Sequence, residues 1–391
     1  MNFLKKISGD KQLWVYTTLL MLFSFWIIYS ASSNLSNVYG KFSPSFYVFK
    51  HFIHISIGFF IIFITHRMNP DFSLRLSRIA IPVFSVILLY TLLKGSNINS
   101  ASRWLQVPLV GSVQPSAIAF LFLMMFSARF FGKKNVNKMS FFEAFKSFWI
   151  WVYIIVGLVL PTNLSTASLM FLMVLLVAFL ASYPFIEMLK VLGIGLIGFV
   201  FFILIIKAFP NQLTNRLDTW QARIERFFNS TKEGEEEIKV NYQVTHAKIA
   251  IAQGGVFGFR PGKSVQKNFL PQSVSDFIFA IIIEEYSLTG GIIILFLYFL
   301  LALRFFFIAK KAKTTYYKLL VLSVGLPIIF QAFVNMSVAV NLIPVTGQPL
   351  PFLSSGGTAI WVNSFAIGII LGVSRYTEEE EKKDLKNYVV A

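Results

Sequence analysis

Cysteine is absent from all 391 residues, which removes disulfides, thiolate metal sites, iron–sulfur clusters and cysteine nucleophiles together. Charge is scarce: Asp, Glu, Lys and Arg make up only 14% of the chain, and acids number 18 against 35 bases. What remains is apolar, with 56% hydrophobic residues and a mean hydropathy of +0.68. No ordinary soluble chain has that balance. A secreted enzyme and a soluble nucleic-acid binder are both excluded, and an integral membrane protein is left. The 44 phenylalanines suit lipid-facing helices and name no function.

The long apolar runs lack the period-2 alternation of barrel strands, so they predict an all-α polytopic membrane protein. A bilayer core of about 30 Å needs roughly 20 apolar residues in a helix. Ten runs approach that length, near 13–32, 48–66, 77–94, 114–131, 145–160, 164–182, 187–209, 276–303, 318–340 and 356–374. The fifth and sixth are parted only by Pro161, Thr162 and Asn163, so a merged, kinked helix is the alternative there. The first run follows Lys5 and Lys6 but is too long for a signal-peptide core, and reads as an uncleaved first helix.

Lys and Arg fix the expected orientation. With both termini inside, the six cytoplasmic segments hold 21 basic residues, among them Arg75, Arg78, Arg129, Lys133, Lys310 and Arg375. The short outer loops and their flanks hold only Lys41, Lys50, Lys94 and Arg103. The net charge of +17 is therefore mostly topology rather than a nucleic-acid patch. A single membrane domain spans 1–391. Its long extracytoplasmic loop, 210–275, joins the seventh and eighth spans, and 376–391 forms a cytoplasmic tail. Connections of that loop's length usually carry function or are disordered. Within it, Leu217, Trp220, Ile224, Phe227 and Phe228 share one helical face, as in a helix lying on a membrane surface. A second weak helical pattern runs from Asn241 to Gln253. Gly254, Gly255, Gly258, Pro261 and Gly262 then demand tightly turned backbone.

Acids at membrane depth cost about 2.5 to 3.5 kcal/mol at a helix centre, so the three of the eighth span need a reason. Asp276 stands where the long loop enters the helix. Its bland reading is a helix cap or first-turn carboxylate, favoured there by the macrodipole. Glu284 falls roughly 12 Å deeper and about 80° round, with Glu285 nearly opposite, so neither pairs with Asp276 unless the helix breaks. A two-carboxylate glycosidase arrangement is thereby disfavoured, and a single general base remains. Arg103, Arg260, Lys263 and Lys267 gather on the same side of the membrane. Either they are solvated or touch headgroups, or they stabilise the charge of a pyrophosphate carried on a lipid. The loop from Pro344 to Thr358 holds three prolines and then Ser354, Ser355, Gly356 and Gly357 at a helix entry. Its amides could hold an anion there, although most helix starts bind nothing. His246 has no carboxylate at metal-ligand spacing and reads as structural.

That loop, together with Gly262-Lys263-Ser264-Val265-Gln266-Lys267 and Ser275-Asp276-Phe277-Ile278-Phe279-Ala280, resembles the SEDS family of bacterial cell-wall proteins, which includes FtsW, RodA and SpoVE. The Ser-Val-Gln-Lys stretch is more similar to the division branch, FtsW, than to the elongation branch. The resemblance covers nearly the whole chain, and it implies a peptidoglycan glycosyltransferase that polymerises lipid II at the outer face of the cytoplasmic membrane. It implies a class B penicillin-binding protein as transpeptidase partner, other division proteins nearby, and a place at the septum. Asp276 matches the family's essential acid and would be the catalytic base. Arg103 and Trp104 match its Arg-Trp, and Lys267 its Gln-Lys. With Lys263, Ser354, Ser355, Gly356 and Gly357 they form the expected substrate-binding set. A divalent cation, Mg or Mn, would suit the pyrophosphate, though no carboxylate cluster commits to binding one.

Several positions depart from the family pattern, among them the loop before Asp276, where Pro271-Gln272 and Val274-Ser275 stand in place of the frequent Pro-Glu and His-Thr. Ala117 and Phe120 stand where many members have a glutamate and a lysine, and Asn163 stands where a usual acid falls. Losing the first two together leaves no unpaired charge in the membrane. Two rival readings remain: a lipid II flippase, which needs a route across the bilayer and no base, and a non-catalytic scaffold that activates its transpeptidase partner.

Overall fold

A computed structural model describes residues 8–39, 43–98, 101–107, 111–133, 136, 139–208, 219–221, 227, 242–270 and 273–390. The described residues are helical almost throughout. Its described helices are α1 (Lys11–Tyr39), α2 (Pro44–Thr65), α3 (Pro70–Lys94), α4 (Pro115–Phe131), α5 (Phe141–Val159), α6 (Leu164–Leu180), α7 (Phe185–Ala208), α8 (Tyr242–Gly254), α9 (Ile278–Lys311), α10 (Thr315–Ala339) and α11 (Gly357–Val390). Every apolar run read in the sequence holds a helix. Eight of them are long and apolar enough to cross a membrane, and the chain is a multi-pass membrane protein. α4 and α6, with 17 residues each, are shorter, at about 26 Å.

The helix ends follow local chemistry. Proline opens α2, α3 and α4, where its missing N–H costs nothing. The junction between the fifth and sixth runs breaks rather than merges. α5 ends at Val159, and the Asn163 side chain caps α6 by accepting from the Thr166 amide at 3.1 Å. An Asp would cap equally well, so this cap does not depend on the charge that Asn163 lacks.

α4, α6, α9 and α10 pack at the centre, with α11 laid against α2 and α10. α7 stands at the periphery, its Leu196, Ile197, Val200, Phe201 and Leu204 exposed as a lipid-facing stripe. Between α3 and α4 a small antiparallel meander interrupts the helices: β1 (Ser96–Ile98), β2 (Ala101–Val107) and β3 (Gly111–Val113), in the order β1-β2-β3. Hydropathy alone gave no sign of it. The segment read as a tail from 376 continues α11 as helix to Val390, and Lys313 in the α9–α10 turn pairs with its Glu380 and Asp384. The surface helix expected over 216–228 lies outside the described residues, apart from the helical residues 219–221 and 227. The pattern from Asn241 to Gln253 is realised as α8, which packs along α9.

Candidate active site

Asp276 lies at the end of the bundle where α4, α6, α9 and α11 begin. It sits in the turn before α9, half-buried, and the helix cap itself is Phe277, which makes no side-chain cap bond. The capping reading of Asp276 thus gives way to a carboxylate held on a built turn. Three neighbours fix that turn. The Asn335 side-chain amide donates to the Asp276 carbonyl at 2.9 Å and to the Gln348 carbonyl at 2.8 Å. Ser354 donates to the Ser275 carbonyl at 2.8 Å, and the Ser355 amide to the Val274 carbonyl at 2.9 Å. From there Gln348 donates to the Thr166 hydroxyl at 2.9 Å, and Gln331 donates to the Gln348 side chain at 3.1 Å. A polar network therefore links the start of α6, the body of α10 and the last loop to the backbone of one acid. Gly347 lies against that acid, since a Cβ on it would be 3.4 Å from the Asp276 Oδ2.

Arg103 comes to the same place by a different device. The β1–β2 register shifts between Ser96 and Asn97, whose partners are Trp104 and Ser102, so Arg103 is the bulged residue. Bulges re-aim a side chain out of the strand's alternation. Burial lowers the Arg103 guanidinium from its ordinary value, and the Asp276 charge raises it in turn. The two groups lie within each other's field. The Arg103 Nε is buried without a hydrogen-bond partner, and the side chain lines a small cavity with Thr91, Ser116, Leu158 and Thr162. Trp104, its neighbour in β2, is half-buried and pairs with Ser96.

The glycine-broken loop is organised by the two glutamates that helical periodicity put on different faces. Glu284 accepts from the Ser264 hydroxyl, from the Val265 amide at 2.8 Å and from the Gln266 amide at 3.1 Å. Glu285 accepts from the Ser264 amide at 3.2 Å and from the Ser30 hydroxyl of α1. Both carboxylates are buried, at 0% and 2% exposure, yet they converge on one loop that wraps around α9. Backbone carries the same contact: the Phe259 amide donates to the Glu284 carbonyl and the Leu288 amide to the Gly255 carbonyl, each at 2.9 Å. α9 pays for this docking with a break at Ser287, where φ is 69° and ψ 179°. Ser287 caps the far half by accepting from the Thr289 amide at 3.1 Å. Gly258 (φ 66°) is required here, because a Cβ would lie 2.7 Å from the Glu285 carbonyl oxygen.

Lys267 turns inward from this loop. It is buried, and its ammonium donates to the Gly262 carbonyl at 2.9 Å and to Ser30 at 3.4 Å. Ser30 therefore bridges Lys267 and Glu285. Lys263 stays exposed. His246 is structural in its geometry, bonded to Gln266 at 2.7 Å and stacked on Phe269. Ser354 and Ser355 spend their amides on the Leu350 and Val274 carbonyls, while Gly357 leaves room for the His54 ring. Through Ser354 and Ser355 this loop clasps the Asp276 turn. Ala117 and Phe120 sit half-buried in the first turns of α4. Among the described residues no three His, Cys, Asp or Glu side chains are placed to hold a metal ion.

The sequence matches the family described as "Cell cycle protein", that of FtsW, RodA and SpoVE, over residues 10–379. The chain belongs to this family. Among its relatives, the probable peptidoglycan glycosyltransferase FtsW of Enterococcus hirae is 30% identical over 370 residues, covering 92% of this chain and 90% of that one. Stage V sporulation protein E of Bacillus subtilis (strain 168) is 30% identical over 385 residues, covering 95% and 99%. The fold is that of the Thermus thermophilus rod shape determining protein RodA, with a TM-score of 0.66 at 20% identity over 94% and 98% of the two chains. It is likewise that of a chain in a peptidoglycan synthase complex, with a TM-score of 0.71 at 22% identity and the same coverage. Within this fold, Asp276, Arg103 and the Ser264–Lys267 loop lie at one end of the bundle.

Proposed function

We propose that this protein is a peptidoglycan glycosyltransferase that polymerises lipid II, with Asp276 as its base. The observation that carries the reading is the Asp276 turn: a half-exposed carboxylate, fixed through its backbone by three elements, with a partly desolvated arginine in its field. Such a group is built to take one proton at a fixed point. In the reaction, Asp276 accepts the proton of the acceptor GlcNAc 4-hydroxyl as that oxygen bonds to C1 of the donor MurNAc. The bond from C1 to the pyrophosphate oxygen breaks, and undecaprenyl pyrophosphate leaves with the electron pair. Attack opposite the leaving group inverts α to β. Arg103, whose Nε lacks a partner, offers its charge to the departing pyrophosphate. Lys267 braces the loop from below, and Arg260 and Lys263 are cations that loop presents to solvent.

The site faces outward from the cytoplasmic membrane, both termini are cytoplasmic, and the reaction serves septal wall synthesis. Its partner is a class B penicillin-binding protein, working among other division proteins. What supports this setting is the distribution of Lys and Arg together with relatives named as probable FtsW glycosyltransferases. The test is lipid II polymerisation by purified protein with its cognate partner and a divalent cation, comparing wild type with Asp276→Asn. Glycan chains are expected from wild type only. Chains from a folded Asp276→Asn protein would remove Asp276 as base, and none from either protein would favour the flippase or the scaffold.

A further inference from the structure

The end of the bundle opposite Asp276 gathers cations around a cavity. There α3 begins, α4 ends and α5 begins, and a cavity of ≈ 590 Å³ opens between them. Arg78, Arg129 and Lys133 line it, with Ile81, Pro82, Phe126, Phe130 and Trp151 as apolar wall. Cations at this end are expected from topology alone, so their presence is not the argument. Their company is. Lys190, Arg304, Lys313 and Arg375 at the same end each face a carboxylate. Among the described residues, none pairs with Arg78, Arg129 or Lys133. The acid next to the cleft in sequence, Glu143, is turned back into the capping box of α5 with Ser140. Burial, then the charges of Arg129 and Arg78, push the Lys133 ammonium below its ordinary value. Three cations thus repel one another around a space that an anion would fill.

The same two helices supply what lies beyond. One to two turns deeper, Ser85, Val86 and Leu89 of α3 face Tyr153, Ile154, Gly157 and Leu158 of α5 across an open groove of ≈ 450 Å³. A Cβ on Gly157 would meet nothing within 4 Å, so the groove is a notch in the side of the bundle. Val86, Leu89 and Ile154 are exposed along it. Pro82 stands between the two spaces. Its ring has no N–H to give the Arg78 carbonyl, which loosens α3 where the cleft opens. A cationic pocket at an interface, walled by Trp151 and continued by an apolar groove, has the chemistry of a headgroup above an acyl chain.

We propose that this cleft binds an anionic phospholipid, with Arg78, Arg129 and Lys133 around its phosphate and one acyl chain in the groove between α3 and α5. A free phosphate shares the headgroup chemistry but has no use for the groove, and the experiment separates the two. The full-length protein in nonionic detergent is titrated with phosphatidylglycerol, phosphatidylcholine or inorganic phosphate, following lipid adducts by native mass spectrometry and Tm by tryptophan fluorescence. Phosphatidylglycerol is expected to form a retained adduct and raise Tm, with phosphatidylcholine and phosphate doing neither. The triple variant Arg78→Gln/Arg129→Gln/Lys133→Gln is expected to bind phosphatidylglycerol at least about tenfold more weakly. Lys310→Gln/Lys311→Gln/Lys318→Gln, which removes three exposed cations at the same end, should bind as wild type does. Equal weakening in both variants, equal binding of the two lipids, or phosphate acting as well as phosphatidylglycerol would each overturn the proposal. If the triple variant does not fold, Gly157→Leu decides: it fills the notch, keeps the cations and should still reduce phosphatidylglycerol binding, whereas unchanged binding refutes the site.

Discussion

Ser264 holds more of the candidate site than its size suggests. Its hydroxyl donates to Glu284 and accepts from the Lys267 amide at 3.1 Å, and its own amide donates to Glu285. Ser264→Ala leaves a buried carboxylate and a buried amide each short of one partner, at a cost of about 1–3 kcal/mol. A lower Tm in detergent, together with reduced polymerisation, is the expected outcome. Full activity with an unchanged Tm would show that the loop holds itself. At this scale the sequence was uneven. Asp276 and Arg103 were legible because the motifs around them resemble a family. Glu284 and Glu285 were visible as acids in an apolar run but were assigned to diverging faces, since periodicity describes one helix and not the loop that wraps it. Asn335 and Gln331, polar residues one turn apart in an apolar span, were the signal for the network under Asp276.

α8 and α9 meet so closely that a single methyl group is too much. A Cβ on Gly254 would lie 2.1 Å from the Ile283 carbonyl oxygen, and that atom is backbone, which cannot turn aside. Gly254→Ala is expected to destabilise by about 1–3 kcal/mol or more, by prising α8 from the half of α9 that carries Glu284. Hydrogen exchange of the Gln266 and Phe259 amides, both tied to Glu284, is the local readout and should accelerate. The helical pattern before Gly254 and the glycines after it were readable as helix and turn. The break at Ser287 was not, because its cause is the arrival of Gly255 to Phe259 from elsewhere in the chain. The β-meander escaped for a similar reason: β1 and β3, with three residues each, are too short for alternation to register, and in β2 a bulge defeats alternation where Arg103 sits.

The ten apolar runs fixed the class of the whole molecule, because hydrocarbon leaves a backbone few ways to satisfy its amides. Orientation rests on Lys and Arg, and the absence of cysteine makes it simple to measure. The natural chain is already a cysteine-free background. Val256→Cys, in the exposed turn after α8, should react with a membrane-impermeant maleimide in intact spheroplasts, and Lys382→Cys in α11 only after permeabilisation. The reverse pattern would invert the molecule and move Asp276 away from any extracytoplasmic substrate. What could not be read at this scale was which helices surround which, since α4, α6, α9 and α10 announce a central position only by packing.

The interruption of α9 has one more effect, on how the protein tolerates its surroundings. Bilayers differ in thickness, and a span answers by changing its tilt. In a continuous helix that tilt would reach the first turn and displace whatever stands there. Here the amide ladder stops at Ser287, and the residues before it are held by Asn335, the last loop and the Ser264–Lys267 segment rather than by lipid. The Asp276 turn is thereby insulated from hydrophobic mismatch, and its geometry can persist in membranes of different depth.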